Sequence, residues 1–249
     1  MIHAFCKVSI APVRAEGKDQ AEIVTQLLFG ELVFINEVNE PWAKITTFSD
    51  NYSGYIDHKH VEQISDEEFK NHTKNSSYLI NREAEIITEE GTQRVCRGSF
   101  FPVSKKEFHI GTHAFQKNTI LPKIDHSILS LSNDYLNTPY LWGGKSPYGI
   151  DCSGITQVIY SINEIQIPRD ASQQVQLGST ISFEKIAPGD LAFFENKKGK
   201  ITHVGILDGQ GNIIHASGHV RKDPFSKEGI LHSKTKELTH KLSCIKRLY

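Results

Sequence analysis

The chain has 249 residues, enough for one to three domains, and its 28 lysines and arginines nearly balance its 29 aspartates and glutamates. The resulting net charge of −1 disfavours non-specific binding to nucleic acid or to anionic membranes. Apolar residues make up 38% and charged residues 23% of the chain, which excludes global disorder and a fibrous fold. Its 12 histidines are a feature typical of catalysis or metal binding.

The N-terminal segment and the hydropathy pattern bear on location. No stretch approaches about 18 consecutive apolar residues, and residues 1–19 lack the basic segment, apolar stretch and small-residue cleavage site of a signal peptide. We therefore expect a cytoplasmic protein, or a secreted or periplasmic one if a signal peptide was removed ahead of Met1. We also expect a monomer that contacts neither nucleic acid nor membrane.

The four cysteines, Cys6, Cys96, Cys152 and Cys244, lie far apart in the sequence. They form no CxxC pair and no cysteine–histidine spacing typical of zinc sites, so we expect no disulfide framework, no structural metal and no cofactor. Cys6, Cys96 and Cys244 are expected to be small buried apolar residues.

The N-terminal half has the pattern of short strands separated by turn residues. Residues 1–65 predict a small β-barrel, in which residues 21–31 resemble a short helix or a turn. The polar residues 66–77 look like a connector, and short strands follow them. Residues 66–120 therefore predict a second, weaker β module or a linker.

The pattern changes from residue 125, where a helix-like segment and a glycine-rich loop lead to Cys152. Ile155, Val158, Ile159 and Ile162 follow at i, i+3, i+4 and i+7, which predicts an amphipathic helix. Cys152 falls in its first turn, where unpaired backbone N–H groups favour a thiolate. We therefore expect Cys152 to be a nucleophile.

Two strands joined by a glycine-rich turn follow, with a histidine on each. A hairpin centred on Gly209 places Leu207 opposite Gly211 and His203 opposite His215. Directly opposed residues have Cβ atoms about 4.5–5.5 Å apart, so one imidazole could orient the other. A shift of one residue would separate them.

A thiol nucleophile needs a base to accept its proton and a third group to hold that base. Cys152, His203 and His215 fit these roles, with a metal site on the two histidines as the alternative. The other histidines are expected to be ordinary surface or core residues: His3, His58, His60, His72, His109, His113, His126, His219, His232 and His240.

Three ordered motifs, at residues 138–154, 186–194 and 203–218, resemble those of the NlpC-type, papain-like cysteine peptidases that cut bacterial cell-wall peptides. The resemblance covers residues 121–249 and implies an α+β fold, with the helix that bears the cysteine packed on an antiparallel sheet. It also implies that Cys152, His203 and His215 form the catalytic set.

The N-terminal half is similar to bacterial SH3-like modules, through residues 8–16, 25–31, 41–45 and 52–56. Together with residues 168–174, this order resembles the γ-D-glutamyl-L-diamino-acid endopeptidases of the dipeptidyl-peptidase VI type. That resemblance implies hydrolysis of the bond between γ-D-Glu and diaminopimelate or Lys, in murein peptides with a free N-terminal L-Ala. It also implies a role in recycling wall peptides.

The transition state needs donors for its oxyanion, and we expect the backbone N–H of Cys152 and the Tyr140 hydroxyl to supply them. Asp151 and Ser153 flank the nucleophile and are expected to contact substrate, although capping the helix is an equal use of them. The resemblance implies that Asp170 binds the substrate's α-amine.

The resemblance further implies that Glu22 and Tyr52 of the SH3-like module close the substrate pocket. Glu31 and Tyr55 are close competitors for these two roles.

Two alternatives from other classes stay open. One is a binding module for wall peptides with a dormant peptidase domain, which the complete cysteine and histidine set disfavours. The other is an acyltransferase or amidase, because an acyl-enzyme can transfer its acyl group to an amine as well as to water.

Overall fold

The computed structural model describes residues 2–249, which form two compact units. The first comprises the residues up to Ile124 together with Trp142–Pro147, and the second comprises Asp125–Leu141 and Tyr148–Tyr249. No helix within residues 2–249 is both long enough and apolar enough to span a membrane.

The first unit begins with a seven-stranded antiparallel sheet in the order β3-β2-β6-β5-β4-β1-β7. Its strands are β1 (Ile2–Cys6), β2 (Ile10–Arg14), β3 (Ile23–Leu28), β4 (Leu32–Asn39), β5 (Trp42–Thr47), β6 (Ser53–Asp57) and β7 (Val61–Ile64). A 3₁₀ turn (His58–His60) precedes β7.

The prediction of a short helix or turn at residues 21–31 is wrong, because β3 occupies this segment and pairs with β2 from Ile10↔Leu28 onwards. Four consecutive residues, Thr25–Leu28, are buried. A strand covered on both faces buries consecutive residues, so its sequence lacks the alternation that identifies a half-exposed strand.

The predicted connector is also wrong in part, because residues 66–75 form helix α1 (Asp66–Asn75). Ser65 and Glu68 form a capping box, in which the Ser65 hydroxyl accepts from the Glu68 N–H and Glu68 accepts from the Ser65 N–H. Only Phe69 and His72 of the helix are buried, so its apolar pattern is too short to reveal it.

Short strands follow, as the sequence predicts: β8 (Ser77–Tyr78), β9 (Glu83–Thr88), β10 (Gly91–Cys96), β11 (Phe100–Phe101), β12 (Glu107–Ile110) and β13 (His113–Lys117). Four of them form a sheet in the order β10-β9-β13-β12, and β8 pairs with β11. Phe5 of β1, Phe69 of α1 and Phe108 of β12 belong to one hydrophobic cluster. This shared core explains why the two β regions form one compact unit. β14 (Lys145–Ser146) belongs to the same unit.

The second unit contains an antiparallel sheet in the order β16-β22-β17-β18-β19-β20, with β21 paired to β22. The strands of the second unit, of which β15 lies outside this sheet, are β15 (Gly149–Ile150), β16 (Ser179–Thr180), β17 (Leu191–Glu195), β18 (Ile201–Leu207), β19 (Asn212–Ser217), β20 (His219–Pro224), β21 (Gly229–Leu231) and β22 (Leu238–Arg247). Its helices are α2 (Ile128–Asp134), α3 (Cys152–Ile162), α4 (Ala171–Gln174) and a 3₁₀ turn (Phe183–Lys185).

Helix α3 begins at Cys152, where the sequence predicts it, and the Asp151 carboxylate caps it by accepting from the Gly154 N–H at 2.7 Å. The predicted helix is present, and every one of its residues is buried, the polar ones included. Its polar face is covered because buried Gln174 accepts from the Thr156 hydroxyl at 2.8 Å and donates to the Ser153 carbonyl at 3.1 Å.

The predicted β18–β19 hairpin is present, but its register is wrong by two residues. Leu207 pairs with Ile213, not with Gly211, so the turn is centred on Gln210. The Asp208 carboxylate causes this longer turn, since it accepts from the Gln210 N–H at 2.7 Å and from the Asn212 N–H at 3.0 Å. Because side chains alternate with a period of two, the slip keeps His203 and His215 on one face.

Candidate active site

His203 and His215 are hydrogen-bonded to each other, with His203 Nε2 2.9 Å from His215 Nδ1. In the observed register His215 lies diagonal to His203, and Gly205 lies directly opposite His215. A Cβ at Gly205 would lie 2.9 Å from the His215 Cβ and 2.7 Å from Ile213 Cδ1. The missing side chain at Gly205 therefore leaves the space through which the two rings meet.

Asp223 of β20 extends this pair into a hydrogen-bonded series of three side chains. His215 Nε2 lies 3.0 Å from Asp223 Oδ2. The other carboxylate oxygen, Oδ1, accepts from the Ser233 N–H at 3.0 Å and from Arg221 Nη2 at 2.9 Å. We call these three side chains the Asp223–His215–His203 series.

Charge within the series is concentrated on Asp223. Burial raises the pKa of this carboxyl, but hydrogen bonds from His215, Arg221 and the Ser233 N–H outweigh burial and hold its pKa well below the usual range. Burial lowers the pKa of His215 despite its bond to Asp223. Burial, with His215 and His240 as neighbouring like charges, holds the pKa of His203 well below its usual value. At neutral pH the series is therefore one carboxylate and two neutral imidazoles.

The ionised carboxylate fixes where the ring protons lie. A carboxylate only accepts, so His215 Nε2 carries the proton that it donates to Asp223. The neutral His215 ring then has a bare Nδ1, which accepts from a protonated His203 Nε2. His203 is left with an unprotonated Nδ1, the form that a general base needs.

Cys152 begins α3, which contacts β18, and the Val204 backbone N–H of that strand lowers the pKa of its thiol. Burial, with Asp151 as a neighbouring negative charge, raises the pKa of the Cys152 thiol to about 12, although the Val204 N–H, Arg169 and the Ser153 N–H oppose this rise. The Ser153 N–H, at the N-terminus of the helix, lowers the thiol pKa in the expected direction, but burial raises it by more. Burial outweighs the helix, and the proton stays on sulfur until a base removes it.

Asp151 and Ser153, the residues on either side of Cys152, are bound by buried Arg169. The guanidinium donates to Asp151 Oδ1 and Oδ2 at 3.0 and 2.6 Å, and to the Ser153 hydroxyl at 2.8 Å. Arg169 is only 2% exposed, so this bidentate pair neutralises a carboxylate that is also buried. The capping role predicted for Asp151 is confirmed, and Arg169 holds both residues in place.

Tyr140 lies within the electrostatic range of Cys152. Burial, followed by the charges of Cys152 and Asp151, raises the pKa of its hydroxyl to about 12, so the hydroxyl is a donor at every working pH. Asp170 is the residue from which α4 begins, next to Arg169 in the sequence. The second unit thus contains all the predicted site residues from Tyr140 to His215.

The SH3-like residues lie in the first unit. The Trp142 indole N–H donates to exposed Glu22 at 2.6 Å, and the Tyr52 backbone N–H donates to the Thr47 hydroxyl at 2.8 Å. Of their competitors, Glu31 forms a buried ion pair with Lys145 at 2.8 Å. The roles of Glu22 and Tyr52 stay predictions.

The competitors and the metal alternative can be placed as well. Tyr55 lines a surface groove of about 410 Å³ with Trp42 and Lys44. Among residues 2–249, no group of three or more histidine, cysteine, aspartate or glutamate side chains could hold a metal ion.

Sequence reasoning missed three residues of this site. Asp223 and His240 lie on strands that the sequence analysis did not predict, and Arg169 lies in the 168–174 motif beside Asp170. A signal for Arg169 was available, because a buried carboxylate at a helix cap needs a cation nearby.

Two family models match separate parts of the chain. Residues 137–239 match the model of the NlpC/P60 family, and residues 13–61 match that of the bacterial dipeptidyl-peptidase SH3 domain. The chain carries an NlpC/P60 domain preceded by a bacterial SH3 domain. The fold is accordingly an NlpC/P60 fold with an SH3-like N-terminal domain, and the chain is a hydrolase of the cysteine peptidase type.

The relatives share most of the chain's length. A gamma-D-glutamyl-L-lysine dipeptidyl-peptidase from Bacillus subtilis is 29% identical over 218 residues, which are 78% of this chain and 72% of that protein. Dipeptidyl-peptidase 6 from Lysinibacillus sphaericus is 27% identical over 253 residues, covering 87% and 88% of the two proteins. The crystal structure of an NlpC/P60 family protein from Bacillus cereus has a TM-score of 0.79 at 21% identity, covering 98% of this chain and 99% of that one.

The role of Gly205 can be tested by adding a single methyl group. We expect Gly205→Ala to push His215 away from His203, because the new Cβ would lie 2.9 Å from the His215 Cβ. Peptide hydrolysis should fall by about 10-fold or more, and the free energy of unfolding by about 1–3 kcal/mol. Steady-state kinetics and urea unfolding measure both effects.

Gly199→Ala is the matched control. Its backbone φ of +73° makes alanine unfavourable by about 1 kcal/mol, but the methyl group would meet nothing within 4 Å. This variant should lose stability and keep its kcat. Equal kcat losses in the two variants would contradict the role of Gly205.

Proposed function

We propose that the chain is a cysteine endopeptidase that hydrolyses the bond between γ-D-Glu and an L-diamino acid, diaminopimelate or Lys. Its substrates would be murein-derived peptides with a free N-terminal L-Ala, and its role would be the recycling of wall peptides. The observation that carries the chemistry is the Asp223–His215–His203 series, in which His203 lies on β18 beside Val204, whose backbone N–H lowers the pKa of the Cys152 thiol. The name of the Bacillus subtilis relative, a gamma-D-glutamyl-L-lysine dipeptidyl-peptidase, supports the substrate class.

The reaction begins with transfer of the Cys152 proton to His203 Nδ1 while sulfur attacks the γ-glutamyl carbonyl. The backbone N–H of Cys152 and the Tyr140 hydroxyl would donate to the oxyanion. The imidazolium then gives its proton to the leaving amine, and the acyl-enzyme forms. Water, deprotonated by His203, attacks the thioester and releases the peptide that ends in γ-D-Glu.

His215 and Asp223 act through His203. When His203 accepts the proton it becomes a buried cation, and the bond to His215 Nδ1 stabilises that cation. Asp223 supplies the negative end of the series without accepting the proton, because hydrogen bonds hold the pKa of its carboxyl well below the usual range. Arg169 is paired with Asp151, and its positive charge opposes the effect of that carboxylate on the Cys152 thiol.

We propose that the substrate's α-amine binds Asp170 and that Asp151 and Ser153 contact the substrate backbone. A free amine is a cation, and binding it in a pocket requires a carboxylate. We also propose the papain-like arrangement, in which α3 packs on the sheet. Contacts of α3 with β18 and β19 support it.

The substrate proposal is tested by incubating the enzyme with L-Ala-γ-D-Glu-diaminopimelate and with its N-acetylated form. We expect release of diaminopimelate from the first peptide, and at least about 100-fold less from the second, because acetylation removes the cation. Mass spectrometry identifies the products. Cys152→Ala should abolish turnover.

Three outcomes would contradict the proposal in different ways. Equal cleavage of both peptides would remove the amine site. Turnover by the Cys152→Ala variant would remove the nucleophile. A product in which the acyl group has moved to an added amine would indicate an acyltransferase.

The acidity of His203 gives a pH prediction. Since its pKa is held well below the usual value of about 6.5, the base stays unprotonated as the pH falls past that value. The acid limb of kcat/KM should therefore lie below pH 6.5, with activity lost only as the pH passes through the folded-state pKa. A limb at or above about 6.5 would show that His203 is not the buried base proposed here.

Asp223→Asn tests the proton arrangement directly. The Arg221 and Ser233 donors should attract the asparagine oxygen, which leaves its NH₂ group facing His215 Nε2. His215 would then carry its proton on Nδ1 and His203 could no longer donate to it. We expect kcat to fall about 10³-fold or more, as measured by steady-state hydrolysis.

Asp208→Asn is the matched control, because Asp208 is also a buried aspartate and pairs with Lys222 at 2.7 Å at the hairpin turn. This control should lose about 1–3 kcal/mol of stability and keep kcat within about 3-fold. If both variants lose stability but Asp223→Asn keeps its kcat while the control loses it, the series does not determine which nitrogen of His203 is unprotonated.

A further inference from the structure

A third histidine, His240 of β22, lies against the general base. Its ring stacks on that of His203, with centroids 4.3 Å apart and planes inclined by 26°. The ring of Phe194, between them in the sheet order, contacts both, with centroids 5.7 Å from His203 and 5.9 Å from His240. His240 lies one residue beyond the segment that matches the NlpC/P60 model, and sequence reasoning treated it as an ordinary histidine.

The hydrogen bond from His203 to His215 does not fix the tilt of the His203 ring. A bond at Nε2 fixes one edge of the imidazole but does not fix the plane of the ring. The lone pair of Nδ1 lies in that plane, and a hydrogen bond weakens as its angle departs from linearity. A ring stacked on the imidazole face restricts the tilt, and the Phe194 ring restricts it further.

We propose that His240 is a positioning residue: its ring holds the plane of the His203 imidazole and shields that face from water, so that Nδ1 keeps one direction for accepting the proton. The proposal rests on the proposed role of His203. In this role the His240 ring contacts the face of the His203 ring and does not itself accept the proton.

The charges around His203 are consistent with this role. Burial, followed by the charge of His215, lowers the pKa of His240 to about 4, so its ring is neutral at neutral pH. The other titratable groups nearby are Cys152 on α3, His215 on β19 and Asp223 beyond it on β20.

Next to His240 on its own strand, Lys241 pairs with Glu195 of β17 at 2.6 Å. The Asp223 carboxylate acts to raise the His240 pKa, but burial and His215 outweigh it. A flat neutral ring is therefore the property of His240 that the site uses.

The test compares two variants that separate the ring from its other properties. His240→Gln removes the ring but keeps a polar side chain, and His240→Phe keeps a flat ring that cannot titrate. We expect His240→Gln to raise the His203 pKa towards 6.5, because water reaches the exposed face, and to lower kcat about 10-fold with KM unchanged. His240→Phe should keep the wild-type pKa and at least about half of the wild-type kcat.

The His203 pKa is read by NMR titration of ¹⁵N-labelled histidine rings, assigned with a His203 variant, and kcat is read from hydrolysis of L-Ala-γ-D-Glu-diaminopimelate. His109→Ala, at an exposed histidine of β12, is the control and should change neither. An unchanged His203 pKa in His240→Gln, or a His240→Phe variant as impaired as His240→Gln, would overturn the proposal.

The two proposals fail in distinguishable ways. If the wild-type protein cleaves no such peptide, the proposed function fails, but the His203 titration still decides whether His240 controls that ring. If the wild type cleaves it and the His240→Gln titration matches the wild type, only the role of His240 fails.

Discussion

The hydrogen bond between His203 and His215 is the contact on which the rest of the site depends. It joins two strands of one hairpin, and it exists because Gly205 leaves a gap where any other residue would place a Cβ. Through this bond and the one from His215 to Asp223, the Asp223 carboxylate influences the His203 ring, which would accept the Cys152 proton. The hairpin turn, the glycine and the carboxylate therefore serve the same purpose, which is to present an unprotonated Nδ1 in a buried position.

Burial has opposite effects on the two reacting groups. It raises the pKa of the Cys152 thiol and lowers that of the His203 imidazole, so both groups are neutral before substrate binds. A mechanism in which the base removes the proton during attack follows from this pairing. The buried Arg169–Asp151 ion pair is also close to the sulfur. It caps the start of α3 with a carboxylate, and the pair as a whole has no net charge.

Much of this site could be predicted from the sequence, because short stretches of sequence determine the local structure there. The nucleophile, its helix and the two histidines lie in segments where turn residues and periodicity determine the structure, and a register error of two residues did no harm because strand side chains alternate. Helix α1 was missed although the sequence held a signal for it, since Ser65 and Glu68 have the spacing that defines a capping box.

The residues that the sequence did not reveal depend on contacts between distant segments. His240 reaches His203 only because β17 lies between β22 and β18 in the sheet, an order that no local pattern specifies. Asp223 is 20 residues from His203, and its role follows from the pairing of β19 with β20. The burial of α3 on all sides likewise depends on Gln174, whose position is set by the chain beyond the helix.

The most direct measurement is the ¹⁵N NMR spectrum of the His203 ring at neutral pH in the resting enzyme. If Asp223 sets the proton positions, His203 Nδ1 will have the chemical shift of an unprotonated nitrogen, and Nε2 will carry a proton coupled across the hydrogen bond to His215 Nδ1. A protonated Nδ1 on His203 would contradict the account, because that ring could not accept the Cys152 proton.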